Sequence, residues 1–294
     1  MRNFILFIIL MIVINVGLLP AQTQESQEQS GANVYSFFVN IVNEPFHFPL
    51  VGLVNIAIGN HILPQIGLIN FNLNNLSSLQ TGLINFVGGD FAGLQIGLVN
   101  TTGGSFQGAQ ISLINLTGKI NGFQIGLINY ANTIENGIPI GLISIVRNGG
   151  FKAVELSINE IAHTNFAFKT GVEIFYTSFN VSWNPTIDWG YSLLTGIGLG
   201  THISISDNFF FNPELTFMSN MNIGDTNLYY FSFAPNLGFR IAYGFSVLVA
   251  PTITWVHSVN NDGEISKTFL ALYNHEINTK NNLLIGGRLA LRFQ

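Results

Sequence analysis

The chain has 294 residues, of which 9% are charged and 48% are hydrophobic, and its formal net charge is −5. Soluble domains usually carry about 25% charged residues, so a fully water-facing surface is hard to build from this composition. The chain contains no cysteine, which excludes disulfides, thiolate metal ligands and a lipid-modified cysteine anchor. It has only 10 Lys and Arg residues and no basic cluster, which disfavours nucleic-acid binding.

Residues 1–21 have the pattern of a secretory signal peptide. A basic start at Arg2 precedes an apolar run over residues 4–19, and the small residue Ala21 follows. An uncleaved membrane anchor is the alternative, because the run approaches the ~17 residues that span a bilayer. Residues 22–44 begin with a polar stretch, so we expect a flexible N-terminal segment of the mature protein there. No later apolar run predicts a helical membrane span.

Residues 45–150 contain one five-residue phrase that returns at a fixed interval. The phrase is an aliphatic residue (once Thr), Gly (once Ser), Leu, Ile or Val, and Asn (once Ser). Its second position is occupied by Gly52, Gly67, Gly82, Gly97, Ser112, Gly126 and Gly141. The intervals are 15 residues, apart from one of 14. Such regularity indicates one supersecondary unit per repeat.

Each repeat reads as a β-strand followed by a turn. Around Gly97, the residues Leu94, Ile96 and Leu98 alternate with Gln95 and Gly97, which is the period of a strand. Turn-forming residues such as those at 88–90 lie midway between successive motif glycines. The repeats therefore predict seven strands of an antiparallel meander.

A β-solenoid is the alternative interpretation, in which the repeats stack in parallel and their asparagines form a side-chain ladder. That ladder would contain Asn55, Asn70, Asn85, Asn100, Asn115 and Asn129. Charge placement bears on the choice, because Asp90, Lys119 and Glu135 are the only charged residues from 45 to 146 and all lie in turns. Charge facing lipid at mid-depth costs about 2 to 4 kcal/mol, so the pattern favours membrane strands.

Residues 151–294 alternate more clearly. In the last segment Leu289, Leu291 and Phe293 share one face, with Arg288 and Arg292 on the other. This is the pattern of transmembrane β-strands, although a soluble sandwich shows it too. Aromatic residues that suit an interfacial girdle are Trp183, Trp189, Tyr191, Tyr229, Tyr230 and Trp255.

About nine strands are expected in this C-terminal half. Together with the repeats they predict an all-β fold, an antiparallel transmembrane β-barrel of roughly sixteen strands. The alternative is a β-solenoid of repeats followed by a smaller β-barrel.

Two features resemble known families. The final strand, ending Arg292-Phe293-Gln294, is similar to the terminal strand of outer-membrane β-barrel proteins, which typically ends in an aromatic residue read by the assembly machinery. The repeats at 93–100 (GLQIGLVN) and 122–129 (GFQIGLIN) resemble a surface-repeat family of uncharacterised bacterial, notably spirochaete, proteins. These resemblances imply an exported protein of the bacterial outer membrane or cell surface. Its partners would be outer-membrane lipid and the barrel-assembly machinery, and no catalytic residues are implied.

No residue pattern indicates a cofactor or a metal, since the six histidines form no HxxxH or HExxH spacing. One catalytic candidate exists: His202 and Ser204 on one strand face, with Glu214 on the next strand, would form a base, a nucleophile and an acid. The segment resembles the His-x-Ser arrangement of barrel lipid A deacylases, with Ile205 where those enzymes usually have Asn. We expect no enzyme, with a lipid-modifying hydrolase as a minor alternative.

Seven charged residues are expected to line the barrel lumen. They are Glu155, Lys169, Glu173, Glu214, Arg240, Arg288 and Arg292. Such residues line a pore or close it by pairing across the barrel, and barrels keep polar interiors in either case. The sequence therefore predicts a structural or surface-interaction role, with a passive porin-like channel for small solutes as the alternative. It identifies no surface ligand.

Overall fold

The computed structural model of the protein describes residues 33–44, 46–185, 192–220, 228–259 and 271–294. The expected signal peptide, residues 1–21, lies outside these ranges. The described chain is all-β, as predicted: a parallel β-solenoid is followed by an antiparallel β-barrel.

The solenoid is one sheet of 11 strands that pair in parallel. They are β1 (Val39–Val42), β2 (Leu50–Val51), β3 (Val54–Ala57), β4 (Gln65–Ile66), β5 (Ile69–Asn72), β6 (Leu76–Thr81), β7 (Ile84–Val87), β8 (Phe91–Ile96), β9 (Val99–Ile111), β10 (Ile114–Ile134) and β11 (Ile138–Asn148). Strands β1, β3, β5 and β7 form one side, β2, β4, β6 and β8 form the other, and β9 joins both. Each repeat is therefore one coil with two passes.

This arrangement overturns the prediction that the repeats are antiparallel barrel strands and confirms the solenoid alternative. Strands one repeat apart lie side by side in parallel, with Ile69 opposite Ile84. The expected single strand bends at Gly97, where the chain turns from one pass to the other. The bend shifts the alternation, so Gln95 and Asn100 are both buried, although a straight strand would place them on opposite faces.

Two ladders of buried amides run through the solenoid interior beside a hydrophobic cluster. Asn70 Nδ2 donates to Asn85 Oδ1 at 2.9 Å and to the carbonyl of Thr81 at 2.8 Å. The asparagine ladder contains Asn40, Asn55, Asn70, Asn85, Asn100, Asn115 and Asn129 and ends on Ser144. The second ladder contains Gln65, Gln80, Gln95, Gln110 and Gln124. Because Asn40 is its first rung, the solenoid begins inside the segment 22–44 that was expected to be flexible.

The motif glycine is needed because successive coils approach closely at this corner. A Cβ atom on Gly82 would lie 2.3 Å from the carbonyl oxygen of Gly67. Ser112 replaces glycine in one coil, and its hydroxyl donates to Asn115 Oδ1 at 2.8 Å.

The C-terminal barrel is built from antiparallel strands. They are β12 (Phe151–Ile158), β13 (Thr164–Val172), β14 (Phe175–Trp183), β15 (Leu193–Gly200), β16 (Ile203–Ser204), β17 (Phe209–Asn220), β18 (Leu228–Ala242), β19 (Phe245–Ser258), β20 (Tyr273–Asn278) and β21 (Asn281–Phe293). The wall follows the order β12-β13-β14-β15-β17-β18-β19-β21, and β21 pairs with β12 to close it. β16 and β20 add short pairings to β17 and β21.

The closed wall has eight strands rather than the sixteen predicted. The count was wrong because the repeat strands hydrogen-bond among themselves and contribute none to the barrel. Alternation along the wall follows the prediction: in β21, Leu289 and Leu291 face outward, and Arg288 and Arg292 are buried inside.

The last coil of the solenoid packs against the outside of the barrel wall. The hydroxyl of Thr170 in β13 donates to the carbonyl of Ser144 at 2.7 Å. The hydroxyl of Thr177 in β14 donates to the carbonyl of Gly141 at 2.8 Å. Val172 joins the hydrophobic cluster of the solenoid interior. The barrel thereby covers the C-terminal end of the solenoid.

Candidate functional site

The barrel interior contains a cluster of five of the seven predicted charges: Glu155, Lys169, Glu214, Arg288 and Arg292. Lys169 Nζ lies 2.6 Å from Glu214 Oε2 and 3.0 Å from Glu155 Oε2. Arg292 Nη2 lies 2.8 Å from Glu155 Oε2, and Arg288 contacts both carboxylates. Lys169 and Arg288 are therefore each shared between the two acids, and Arg292 pairs with Glu155.

Inward positions on four strands bring these charges together. Glu155 lies on β12, Lys169 on β13 and Glu214 on β17, while Arg288 and Arg292 are four residues apart on β21. Because side chains alternate with a period of two, residues four apart share a face. The long cationic side chains reach across the small interior of an eight-stranded barrel.

Neutral polar groups complete the hydrogen bonding of the cluster. Ser178 Oγ donates to Glu214 Oε1 at 2.9 Å, and Arg292 Nη1 donates to Asn212 Oδ1 at 2.5 Å. Asn212 in turn donates to the hydroxyl of Tyr176. Buried ion pairs are tolerated when their remaining donors and acceptors are satisfied, and here much of that requirement is met inside the barrel.

Hydrophobic side chains fill the barrel on both sides of the charges. On one side lie Ile161, Ala162, Leu194, Met218, Leu228, Tyr230, Val256 and Leu284. On the other lie two smaller clusters, with Phe151, Ala153 and Tyr176 in one and Phe210, Leu248 and Ala290 in the other. The charged layer is therefore enclosed between two apolar layers.

The connection between β12 and β13 folds into the barrel and supplies part of this filling. Asn159 Oδ1 accepts the backbone N–H groups of Ile161 at 3.1 Å and Ala162 at 2.9 Å, which holds the turn. Glu160, fully buried, accepts hydrogen bonds from the hydroxyls of Thr252 and Thr254. A carboxylate inside the lumen is thus held by the wall that surrounds it.

Glu173 and Arg240 are predicted to lie in the barrel interior, but neither joins the cluster. Glu173 is exposed in the turn between β13 and β14, and Arg240 Nη1 donates to the carbonyl of Asp207 at 2.9 Å. Both line a cleft of about 810 Å³ where the end of the barrel meets the last turn of the solenoid. Lys152 and Glu135 also line it, so the cleft carries charges of both signs.

The candidate catalytic residues do not assemble. His202 is buried between the rings of Phe151 and Phe210, with centroids at 5.4 Å and 4.5 Å. Burial, and then the charge of Arg292, lowers the pKa of His202 to about 4. Ser204 is exposed, and Glu214 pairs with cations. A nucleophile in solvent and a base enclosed by rings lack the mutual hydrogen bond that this chemistry requires.

Aromatic side chains occur on the outer wall near both ends of the barrel. Trp183, Tyr229 and Trp255 point outward near the end with the longer connections, whereas Tyr230 points into the interior cluster. Trp189 and Tyr191 of the predicted girdle lie outside the described residues. At the opposite end Phe209 contacts Phe239 and Phe245 contacts Phe293, with centroids at 4.9 Å and 5.2 Å.

Three residues of this interior were not predicted from the sequence: Glu160, Tyr176 and Asn212. Glu160 lies two residues after the end of β12, and a residue in a connection gives no periodic signal. Asn212 lies two residues before Glu214 and therefore shares its face, which was a usable signal. Within the described ranges, no group of three His, Cys, Asp or Glu residues is placed to hold a metal ion.

In the part of the chain that the structure describes, no helix is both long and apolar enough to cross a membrane.

Comparison of the chain with protein-family models, with curated proteins and with solved structures gave no match.

Proposed function

We propose that this chain is an exported outer-membrane protein whose small barrel is an anchor that holds the β-solenoid at the membrane surface, in a structural or surface-interaction role. The observation that carries the proposal is that the barrel is apolar outside and charged inside, the reverse of a soluble protein. Its outward positions are apolar, while Glu155, Lys169, Glu214, Arg288 and Arg292 are buried within. A wall of this kind is stable against lipid and costly against water.

The outward face supports this reading along the whole of each strand. Exposed apolar side chains occur on every strand of the wall, for example Leu156, Phe168, Leu215 and Val249, the last being 50% exposed. On the eight wall strands, Lys152 is the charged outward residue, and it lies one position from the start of β12. Soluble monomers rarely expose apolar patches larger than a few hundred Å².

The connections of the barrel also suit a membrane protein. At the end that holds the start of β12 and the end of β21, two of the three connections are two-residue turns, 173–174 and 243–244, and the third, 201–208, contains β16. At the other end the connections 159–163, 184–192 and 221–227 have five, nine and seven residues. Outer-membrane barrels have short periplasmic turns and longer external loops, so the two-residue turns support a periplasmic position for the C-terminus and the adjoining end of the solenoid.

The filled interior argues against the alternative role as a passive channel. An ion that crossed the barrel would have to displace both apolar layers and separate the pairs that Lys169 makes with Glu155 and Glu214. An eight-stranded barrel is just wide enough for its side chains to fill. The proposal therefore includes no transport and no catalysis. The partners it names are outer-membrane lipid and the barrel-assembly machinery.

The test is insertion into lipid vesicles followed by electrophoresis with and without heating. A closed membrane barrel in detergent migrates differently before and after heating, and we expect that shift together with co-flotation with vesicles. Val249→Arg places a cation in the middle of the apolar wall and should weaken insertion by about 2 to 4 kcal/mol. Ser206→Arg, in the exposed turn after β16, is the matched control and should insert normally.

A protein that stays monomeric in water without detergent and does not float with vesicles would overturn the proposal. Planar-bilayer recordings of the inserted protein separate the two roles: the anchor gives no steady single-channel steps, and such steps would establish the channel instead.

A further inference from the structure

The solenoid has a continuous apolar ridge along the corner that carries the repeated glycine. The residue after each glycine or serine is leucine, and its side chain projects outward with an exposed fraction between 41% and 54%. The ridge consists of Leu53, Leu68, Leu83, Leu98, Leu113, Leu127 and Leu142. Exposed aliphatic residues flank it on both passes, at Val51, Ile66, Ile84, Ile96, Ile111, Ile125, Ile128 and Ile140.

Charge lies on the opposite edge of the solenoid. Asp90, Lys119 and Glu135 lie midway between successive ridge leucines, Lys119 at a bulge of β10, and Lys119 pairs with Glu135. Asp90 Oδ1 accepts the backbone N–H of Ser105 at 2.7 Å, so this edge is organised around polar groups. The three charges therefore lie on one edge of the solenoid, the polar edge, beside exposed apolar residues such as Ile62 and Leu73, and the ridge edge carries none.

The backbone at the ridge is hydrogen-bonded from coil to coil. The N–H of Gly82 donates to the carbonyl of Ile96 at 3.0 Å, and the N–H of Leu83 donates to the carbonyl of Leu68 at 2.8 Å. The N–H of Ile84 shares that Leu68 carbonyl at 3.1 Å. A corner normally exposes backbone groups that need water, and here these three N–H groups are satisfied within the solenoid. Pairing of this kind is what backbone polar groups need in hydrocarbon.

The junction with the barrel orients the ridge. Gly141, at the last corner, contacts Thr177, which is paired with Thr170 across β13 and β14. Moving away from the turn at 173–174, the next outward pair is Phe168 and Phe179, which belongs to the apolar wall.

The polar edge lies on the other side of this contact. Residues 135–137, at the last polar turn, line the cleft together with Glu173, Ile174 and Gln294 at the end of the barrel. Along the barrel axis, the ridge therefore lies toward the apolar belt of the wall, and the polar edge lies toward the end with the short turns.

We infer that the leucine ridge lies among the acyl chains of the leaflet on the short-turn side of the same bilayer, so that the solenoid runs edge-on along the membrane. The inference rests on the proposed function, because the barrel must be in the bilayer. The seven leucines of the ridge, about 4.8 Å apart, give a lipid-facing strip about 30 Å long. We infer that lipid covers the ridge, because the ridge continues the apolar face of the barrel and carries no charge along its length.

The absence of cysteine permits a direct test with single probes. Full-length variants Leu98→Cys on the ridge, Asn74→Cys on the polar edge and Val249→Cys on the barrel wall are labelled with an environment-sensitive fluorophore. Each is inserted into vesicles of phosphatidylethanolamine and phosphatidylglycerol with and without lipids that carry a quencher on the acyl chain. We expect a blue-shifted emission and a loss of fluorescence at Leu98 comparable with the loss at Val249, with no loss at Asn74.

Each other outcome is decisive. Quenching at Val249 without quenching at Leu98 would overturn the inference and leave the membrane anchor in place. If the lipid quencher leaves the emission at both position 98 and position 249 unchanged, the barrel is not in the bilayer and the proposed function is wrong. If the labelled Leu98→Cys probe escapes the lipid quencher and the unlabelled variant forms a disulfide between two molecules under mild oxidation, a second copy covers the ridge, which also overturns the inference. Heat-dependent mobility of each labelled variant verifies that the barrel has folded.

Discussion

The hydroxyl of Thr177, on the outer wall of the barrel, donates a hydrogen bond of 2.8 Å to the carbonyl of Gly141 at the last corner of the solenoid. Thr170 makes the equivalent bond to Ser144 at 2.7 Å. A stack of parallel coils ends in a strand edge with unpaired N–H and C=O groups, which invites pairing with other chains. Two threonine hydroxyls of the barrel satisfy part of that edge, so the barrel acts as the C-terminal cap of the solenoid.

We predict that the double variant Thr170→Val and Thr177→Val loosens this junction. Each substitution keeps the shape of the side chain and removes one hydrogen bond, which costs about 1 kcal/mol and leaves a carbonyl unpaired. Limited proteolysis should cut more rapidly near residues 148–150 while the heat-dependent mobility of the barrel is retained. Thr164→Val, exposed on the same wall, is the control. Equal cleavage rates for all three proteins would show that the hydroxyls do not hold the junction.

The interior cluster should be sensitive to the loss of a single charge. Lys169→Met leaves Glu155 and Glu214 with fewer partners, and breaking a buried pair typically costs about 3 to 5 kcal/mol. Urea unfolding in detergent micelles measures the loss. Adding Glu214→Gln to Lys169→Met should recover part of the stability, because the uncompensated charge is removed. A single variant as stable as the parent would mean that the pairs contribute nothing to the fold.

The asparagine ladder should be interrupted by one substitution. Asn85→Leu removes the acceptor for Asn70 and the donor to both Asn100 and the carbonyl of Ile96, three hydrogen bonds in all. Each unsatisfied buried group costs about 1 to 3 kcal/mol, so thermal unfolding followed by circular dichroism should shift clearly to lower temperature. Asn74→Leu, on the exposed edge, is the comparison and should unfold near the parent temperature. Similar shifts for both variants would refute a special role for the ladder.

The corner glycine makes a steric prediction. Gly82→Ala places a methyl group 2.3 Å from the Gly67 carbonyl and should destabilise the solenoid by about 1 to 3 kcal/mol, the usual cost of overpacking. Ser112→Ala removes only the hydroxyl that bonds Asn115, so its cost should be near 1 kcal/mol. Denaturant titration of the two variants ranks them. The opposite order would show that the corner relaxes freely.

The buried histidine predicts a dependence of stability on pH. The pKa of His202 is lowered from its ordinary value of 6.5 to about 4 in the folded protein. Between these two pH values the unfolded chain therefore binds more protons than the folded chain. His202 therefore supports the fold fully above about pH 6.5, and this support declines as the pH falls toward 4. His202→Phe should flatten this part of the stability profile measured by urea titration, whereas the exposed His275→Phe should not. An unchanged profile for His202→Phe would assign the dependence to other groups.

Local patterns along the chain determined several features without any structure. The spacing of the Gly-Leu phrase identified each coil, and the same spacing placed the asparagines in line. Alternation in β21 separated Leu289 and Leu291 from Arg288 and Arg292 correctly. Five of the seven predicted interior charges converge, because inward positions in a barrel follow from a period of two. A further rung at Asn40 went unrecognised, since Phe37 stands where the other coils carry glycine or serine.

Only the tertiary structure decided how the repeats pair. A phrase repeated every 15 residues is compatible with one long strand or with two short passes around a corner, because local propensity is the same in both. The corner at Gly97 brings Gln95 and Asn100 to the same interior, and this long-range hydrogen bonding selected the parallel stack and left eight strands for the barrel. The positions of Glu173 and Arg240 at the rim likewise depend on where each strand ends, which periodicity does not specify.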